Sequence, residues 1–214
     1  NLYVDGGASP VNGPDLRVVS CHLGGSSSIT GILNGVGVGN SLGMSPQSGL
    51  PHNNRVGELD SMALPFMMRT KGVSLDAAES ALSKQSGLLG VSGVSNDLRD
   101  IADAASAGND DARLALDLLA HQARHWIGAY HWQMNGLDAL VFTAGIGENR
   151  DSIREAICAN LDQVGLKLDP EKNAATRATE AEISASDSKI KIFVIPTNEE
   201  LVVAREVRRH LLKN

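Results

Sequence analysis

Four short stretches of this chain carry residue types that could hold a phosphate or help to move one. Val141-Phe-Thr-Ala-Gly-Ile-Gly-Glu-Asn-Arg150 is an apolar strand that breaks at Gly145 and Gly147 into what reads as the first turn of a helix. Glycines at such a corner let backbone approach a flat base or a phosphate without Cβ in the way, and the helix aims unpaired N–H groups at the ligand. Val18-Val-Ser-Cys-His-Leu-Gly-Gly-Ser-Ser-Ser28 is a second corner of the same kind. A single glycine turn after a strand is more often plain connection, but two of them predict one split nucleotide cleft.

Phosphoryl transfer asks a protein for cradled phosphates, a divalent metal bridging them, and positive charge where the moving group becomes most negative. His22, Gly24, Gly25 and Ser26 could line phosphates through backbone N–H groups with His22 donating, or His22 could cap the next turn. Arg55 stands in a breaker-rich loop between Asn53, Asn54 and Gly57 with no evident ion-pair partner. A planar guanidinium suits phosphoryl and carboxylate oxygens alike, and a solvated loop charge is the competing reading. Thr197-Asn-Glu-Glu200 puts two carboxylates after a strand, where Mg²⁺ could use one of them and where a helix dipole would also favour them. Glu148 and Asn149 could touch ribose or base, or cap the helix. Asp97 and Arg99 around Leu98 could meet adenine or ribose, or cap the helix that follows. His121 and His125 share a helix face at i, i+4, but no third ligand accompanies them, which disfavours zinc.

The elements that must position these groups follow from periodicity. A strand is expected over Leu16–His22, then a hairpin of Ser27–Leu33 and Gly35–Leu42 turning at Asn34-Gly35. Residues 43–58 are too polar and too rich in breakers for an element. Helices are expected over Asp60–Thr70, Ser74–Gln85 with Ser74 as cap, and Asp97–Ala107. The longest should run Asp110–Asn135, burying Leu114, Leu118, Leu119, Ala123, Trp126, Ile127 and Tyr130. A strand over Leu140–Thr143, a helix over Asn149–Val164, a strand over Lys189–Ile195 and a helix over Asn198–Lys213 complete the chain. Strands separated by helices after an early hairpin predict an α/β fold, a mixed sheet covered by helices.

With 214 residues, 42% of them hydrophobic, the chain can bury a real core, and one domain over 1–214 is expected. A formal charge of -6 without a basic stripe disfavours nucleic acid and anionic membrane as partners. No run reaches the roughly 18 apolar residues of a bilayer span. Cys21 and Cys158 make no disulfide framework, so a reduced, cytoplasmic setting is expected. The first residues, 1–14, read as a connection, and the chain reads as a fragment.

Taken in order and spacing, Cys21-His-Leu-Gly-Gly-Ser-Ser-Ser28, Gly43-Met-Ser-Pro-Gln-Ser-Gly-Leu50 leading to Arg55, Val141-Phe-Thr-Ala-Gly-Ile-Gly-Glu-Asn-Arg150 and Ile195-Pro-Thr-Asn-Glu-Glu-Leu201 resemble the acetate kinase family over nearly the whole chain. The resemblance implies the ribonuclease H-like, actin-like ATPase fold, with this chain as the C-terminal of two domains that close around ATP. It implies that His22, Leu23, Gly24, Gly25 and Ser26 contact phosphate, and that Asp97, Leu98, Arg99, Gly145, Ile146, Gly147, Glu148 and Asn149 hold the adenosine part. It also implies that Glu199 helps bind Mg²⁺ and that Arg55 stabilises the transition state of phosphoryl transfer between ATP and acetate. The family's N-terminal domain supplies a second phosphate loop, an acetate-binding arginine, a catalytic aspartate and a further histidine, none of them in these residues, so the chain alone should not turn over. A homodimer through the C-terminal domains, using the long helix with Trp126 and Trp132, is also implied.

Two segments depart from the family pattern. Gly39-Asn-Ser-Leu-Gly-Met-Ser-Pro-Gln-Ser-Gly-Leu50 stands where the family has Asp-Thr-Ser-Met-Gly-Phe-Thr-Pro-Leu-Glu-Gly-Leu. His52-Asn-Asn-Arg-Val-Gly-Glu58 stands for Met-Gly-Thr-Arg-Ser-Gly-Asp, and Gly25 for an asparagine. These changes surround the reacting end and leave the acceptor open: acetate, or another carboxylate such as propionate. A nucleotide-binding regulatory protein that keeps the cleft without turnover is the other expectation to be separated.

Overall fold

Branched and apolar residues recurring at every second position give strand β1 (Arg17–Leu23) two faces in the computed structural model, which describes residues 15–212. Val19, Cys21 and Leu23 enter the main core, while Val18 joins a smaller apolar cluster with Ala139 and Val141. β2 (Ser27–Leu33) and β3 (Val36–Asn40) continue as an antiparallel meander. The expected turn joins them: Asn34 at φ 53° and Gly35 at φ 81° are both left-handed, the geometry whose twist suits a two-residue hairpin.

A helical stretch then crosses to the core: α1 (Ala63–Lys71), α2 (Leu75–Lys84), α3 (Gly87–Ser92), α4 (Leu98–Ser106) and α5 (Asp110–Gln133). Ser74 caps α2 by accepting from the Ala77 N–H, and Asn109 caps α5 by accepting from Ala112. β4 (Ala139–Thr143), α6 (Ala144–Asn149), α7 (Asp151–Cys158), α8 (Pro170–Ala175), β5 (Ala181–Glu182), β6 (Lys191–Val194) and α9 (Glu199–Leu211) complete the order.

The six strands lie in the order β3-β2-β1-β4-β6-β5, with β1, β4 and β6 parallel and the outer pairings antiparallel. This is the expected mixed sheet flanked by helices, with an antiparallel hairpin leading into parallel strands as in ribonuclease H-like domains. Its main core lies between the sheet and α5. The buried stripe of α5 is Ala112, Ala115, Leu119, Ala120, Ala123, Ile127 and Tyr130. Small alanines let the helix come close, and Tyr130 closes the contact: a Cβ on Gly31 would lie 2.8 Å from its ring and one on Gly39 2.6 Å. Those two glycines face each other across β2 and β3.

Several expectations need correction. Leu114 is 56% exposed, because the stripe that meets α3 and α4 runs through Ala112, Ala115 and Leu119 on another face. The helix expected from Asn149 begins at Ala144 and breaks at Arg150, and α7 ends at Cys158, short of Val164. The expected strand at Lys189 starts at Lys191. α3, α8 and β5 were not expected. The 1–14 connection and Lys213, the expected end of the last helix, lie outside the described residues.

Candidate functional site

Parallel pairing sets the carboxyl ends of β1, β4 and β6 along one edge of the sheet, where open α/β folds place ligands. Both glycine corners are there. His22 is the register partner of Thr143, and a Cβ on Gly24 would lie 3.5 Å from the Ala144 Cβ. The sequence elements expected to form one cleft therefore abut.

The first corner is the turn Gly24–Ser26 between β1 and β2. The Ser27 hydroxyl closes it, facing the Gly24 N–H at 3.2 Å and the Gly24 carbonyl at 3.1 Å. The N–H groups of Gly25 and Ser26 have no partner among the described residues, so they remain as donors for a ligand. Leu23 is fully buried, and any contact it makes with a ligand is through backbone.

Arg55 comes to this corner. Its Nη1 donates to Ser26 Oγ at 3.2 Å and to the Pro46 carbonyl at 2.8 Å, so it is half-buried and held rather than a free loop charge. The loop itself is built by backbone bonds: Gly57 N–H to Gln47 O, Glu58 N–H to Gly49 O, Ser86 N–H to Asn54 O, and Leu88 and Leu89 N–H to His52 O and Asn53 O. The first N–H groups of α3 are thus satisfied by carbonyls of the arginine turn. Gly87, at φ 61°, admits this closeness, since a Cβ there would stand 2.1 Å from the His52 carbonyl oxygen.

His52, which the sequence reading did not single out, is 1% exposed and joins the two loops. Its Nδ1 accepts from the Ser27 N–H at 2.9 Å and its Nε2 meets the Ser48 carbonyl at 3.2 Å. Both bonds are made at once by the neutral ring protonated on Nε2. Burial pushes its pKa below the usual value, the Ser48 bond works against that, and the charge of Arg55 adds to the lowering.

The second corner is α6. Ala144 enters it at φ 65°, and Gly147 packs where a Cβ would be 3.4 Å from the Phe142 carbonyl carbon and 3.5 Å from the Cys21 oxygen. Gly145 is exposed, whereas Ile146 is a core residue. Asn149 donates from Nδ2 to the Gly145 carbonyl at 3.0 Å, and Glu148 accepts at Oε1 from the Thr197 N–H at 2.9 Å and hydroxyl at 3.2 Å. Glu148 therefore ties α6 to the connection before α9. Glu199 opens α9 beyond the carboxyl end of β6, and its side chain lies outside the described residues.

Arg154 holds this corner from beneath, and the sequence reading missed it. It is wholly buried, and its guanidinium donates to Asn173 Oδ1, to the carbonyls of Asn173 and Thr176, and to the carbonyls of Gly147 (2.9 Å) and Glu148 (3.0 Å). Burial lowers its pKa, and Asp151 opposes the shift. In sequence it is one arginine on an amphipathic helix, with no signal that would set it apart.

Asp97 caps α4 by accepting from the Arg99 N–H at 2.8 Å, and its carboxylate also binds the Arg99 side chain. Those bonds hold its pKa down to about 2, with the charge of Arg150 adding a smaller part. Leu98 is buried in the core and Arg99 is exposed. His121 and His125 lie along α5, and the described residues hold no group of three or more His, Cys, Asp or Glu able to cage a metal. Arranged this way, the edge offers free backbone donors, a fixed guanidinium and a glycine-lined corner, a surface for anionic phosphates.

The sequence profile of the Acetokinase family matches residues 9–205. An acetate kinase of Moorella thermoacetica is 48% identical over 90% of this chain and 48% of its own length. The crystal structure of Porphyromonas gingivalis acetate kinase superposes with a TM-score of 0.88 at 39% identity, over 92% of this chain and 49% of that one. A propionate kinase from Francisella tularensis gives a TM-score of 0.83 at 37% identity, over 89% and 48%. The chain spans about half the length of the curated relatives it matches.

Proposed function

The chain belongs to the acetokinase family, and from that premise we propose that it supplies the nucleotide-side half of a site that transfers phosphate between ATP and a short carboxylate, giving an acyl phosphate and ADP. The observation that carries the reading is the convergence at one sheet edge of the two glycine corners with Arg55, whose Nη1 reaches Ser26 Oγ. In this reading His22 and the free N–H groups of Gly25 and Ser26 meet phosphate oxygens. Asp97–Arg99 and Gly145–Asn149 flank the adenosine, with Leu98 and Ile146 as its apolar support. Arg55, held at the phosphate corner, offsets charge on the phosphoryl group in flight.

Magnesium carried on nucleotide phosphates needs only one or two protein carboxylates. Glu199, opening α9 beside α6, would hold it, and the ion would supply charge neutralisation along the phosphates. The acceptor pocket, the rest of the catalytic groups and the second phosphate loop would come from chain beyond these residues. A homodimer through α5 is part of the proposal, with Trp132 85% exposed on that helix. No described helix is long and apolar enough to cross a membrane, and a cytoplasmic setting is proposed from the two buried free thiols.

Acetate is the first acceptor to try, because curated relatives of the chain are acetate kinases; propionate is the second, since a propionate kinase structure also matches, at a TM-score of 0.83 against 0.88. Calorimetry of Mg-ATP against this chain tests the nucleotide half: micromolar to millimolar binding is expected, and no heat at any concentration would end the proposal. A hydroxamate assay on the protein that carries this chain, with acetate and propionate compared, tests the transfer. Binding without turnover on any short carboxylate would favour the regulatory alternative.

A further inference from the structure

The phosphate corner and the arginine turn come from separate stretches of chain, and His52 joins them. On one side its Nδ1 receives the N–H of Ser27, the residue immediately after the corner. On the other, its own backbone belongs to the turn, with the His52 N–H donating to the Arg55 carbonyl at 3.2 Å and the His52 carbonyl accepting the Leu88 N–H, in the first turn of α3, at 2.9 Å. The ring is 1% exposed, so water does not substitute for either partner. The charge that bears on it is that of Arg55; β2, the 43–50 loop and α3 face it through the Ser27 N–H, the Ser48 carbonyl and the Gly87–Leu88 backbone.

We propose that neutral His52 is a positioning residue: by accepting the Ser27 N–H it holds the Arg55 turn against the glycine corner, and on protonation it gives up that hold. A protonated ring has donors at both nitrogens. Nδ1–H⁺ would then point at the Ser27 N–H, two donors face to face, while the added charge repels Arg55. Relief comes by moving the turn outward, which carries the guanidinium away from Ser26. The direction of the pKa agrees: with the folded-state value lowered, the contact is complete at neutral pH and is lost as the solution is acidified. The inference rests on the phosphate-site reading for its functional meaning, but the coupling itself does not.

The test is a pH series by ¹⁵N NMR on this chain, following the His52 ring nitrogens, the Ser27 amide and the Arg55 Nε–H. The expected result is one shared step below neutral pH in all three. In His52→Asn, whose Oδ1 can occupy the place of Nδ1 without titrating, the Ser27 and Arg55 step should vanish. Ser27 and Arg55 signals that ignore the His52 titration, or that still step in His52→Asn, would overturn the inference, and the wild-type series alone decides should that variant fold poorly. Mg-ATP titrations on the same samples read the other proposal. Affinity in the wild type, relative to His52→Asn at each pH, should fall by up to about tenfold per pH unit below the His52 value, as single-proton linkage allows. Coupled NMR steps in a chain that binds no ATP would support the positioning role and defeat the phosphate reading.

Discussion

Arg55 and Ser26, 29 positions apart in sequence, are joined by a 3.2 Å hydrogen bond from Nη1 to Oγ, so the cation of one loop is anchored on the turn that presents free N–H groups in another. The second bond of Nη1, to Pro46 O, fixes the approach from the other side. Arg55→Ala should lower turnover of the protein carrying this chain by about 10²–10³-fold, the usual loss for one preorganised donor to transition-state charge. ATP affinity of the chain should change far less. Arg55→Lys should not rescue, because one ammonium cannot reproduce the planar fork. Steady-state kinetics and calorimetry on the same variants check this, and equal losses in both would contradict a transition-state role.

Arg154→Met should cost about 3–5 kcal/mol of unfolding free energy, since it strands buried acceptors that the guanidinium now satisfies. Urea denaturation measures it. The loss should be accompanied by faster amide exchange in α6, because the carbonyls of Gly147 and Glu148 lose their donor.

Gly39→Ala should destabilise by about 1–3 kcal/mol through overpacking, because the new Cβ would lie 2.6 Å from the Tyr130 ring. Combined with Tyr130→Ala, the two costs should fall well short of their sum. Additive losses in a double-mutant cycle would show that the ring does not set this contact.

Acid titration should reveal Asp97. Its pKa of about 2 lies below the ordinary 3.8, so the ion pair with Arg99 contributes above the unfolded-state value and is lost as pH falls from there through about 2. Asp97→Asn keeps a capping side chain and should remove this step from a carboxyl NMR titration with little change in helicity.

Both thiols should resist alkylation in the folded chain at pH 8. Burial pushes Cys158 to about 12 and Cys21 well above the usual range, leaving almost no thiolate to react. Rapid labelling by iodoacetamide without denaturant would show that the α7–β1 core opens readily.

Much of the fold around the candidate site was readable in sequence where one local rule governs it. Asn34-Gly35 named its own turn, Ser74 its cap, and both glycine corners their strand ends, because each is set by backbone preferences of adjacent residues. What was hidden depends on distant partners. The start of α3 is satisfied by carbonyls of 52–54, so Gly87 gave no helix signal of its own. Ala144 enters α6 in a left-handed conformation that sequence assigns to glycine, which shifted the expected helix start to Asn149. His52 and Arg154 are polar residues with ordinary neighbours in sequence, and only tertiary contacts reveal that one accepts a buried N–H and the other fills five bonds. Asp97 proved to be the cap that its spacing allowed, while its relation to Arg150 needed the fold.

The ring of Tyr130 resting on Gly31 and Gly39 has a bearing on strand alignment. A strand with glycine at every second position can slide, since its glycine face has no side chains that object to a shift. Moving β3 by one position would bring Val38 or Asn40 under the ring, where only a hydrogen atom has room. The Asn34-Gly35 turn sets the pairing beside it, and past the break in register between Gly31 and Ile32 an aromatic plate on a helix far along the chain holds Gly39 opposite Gly31. A change in α5 would therefore be read out at the sheet's outer margin.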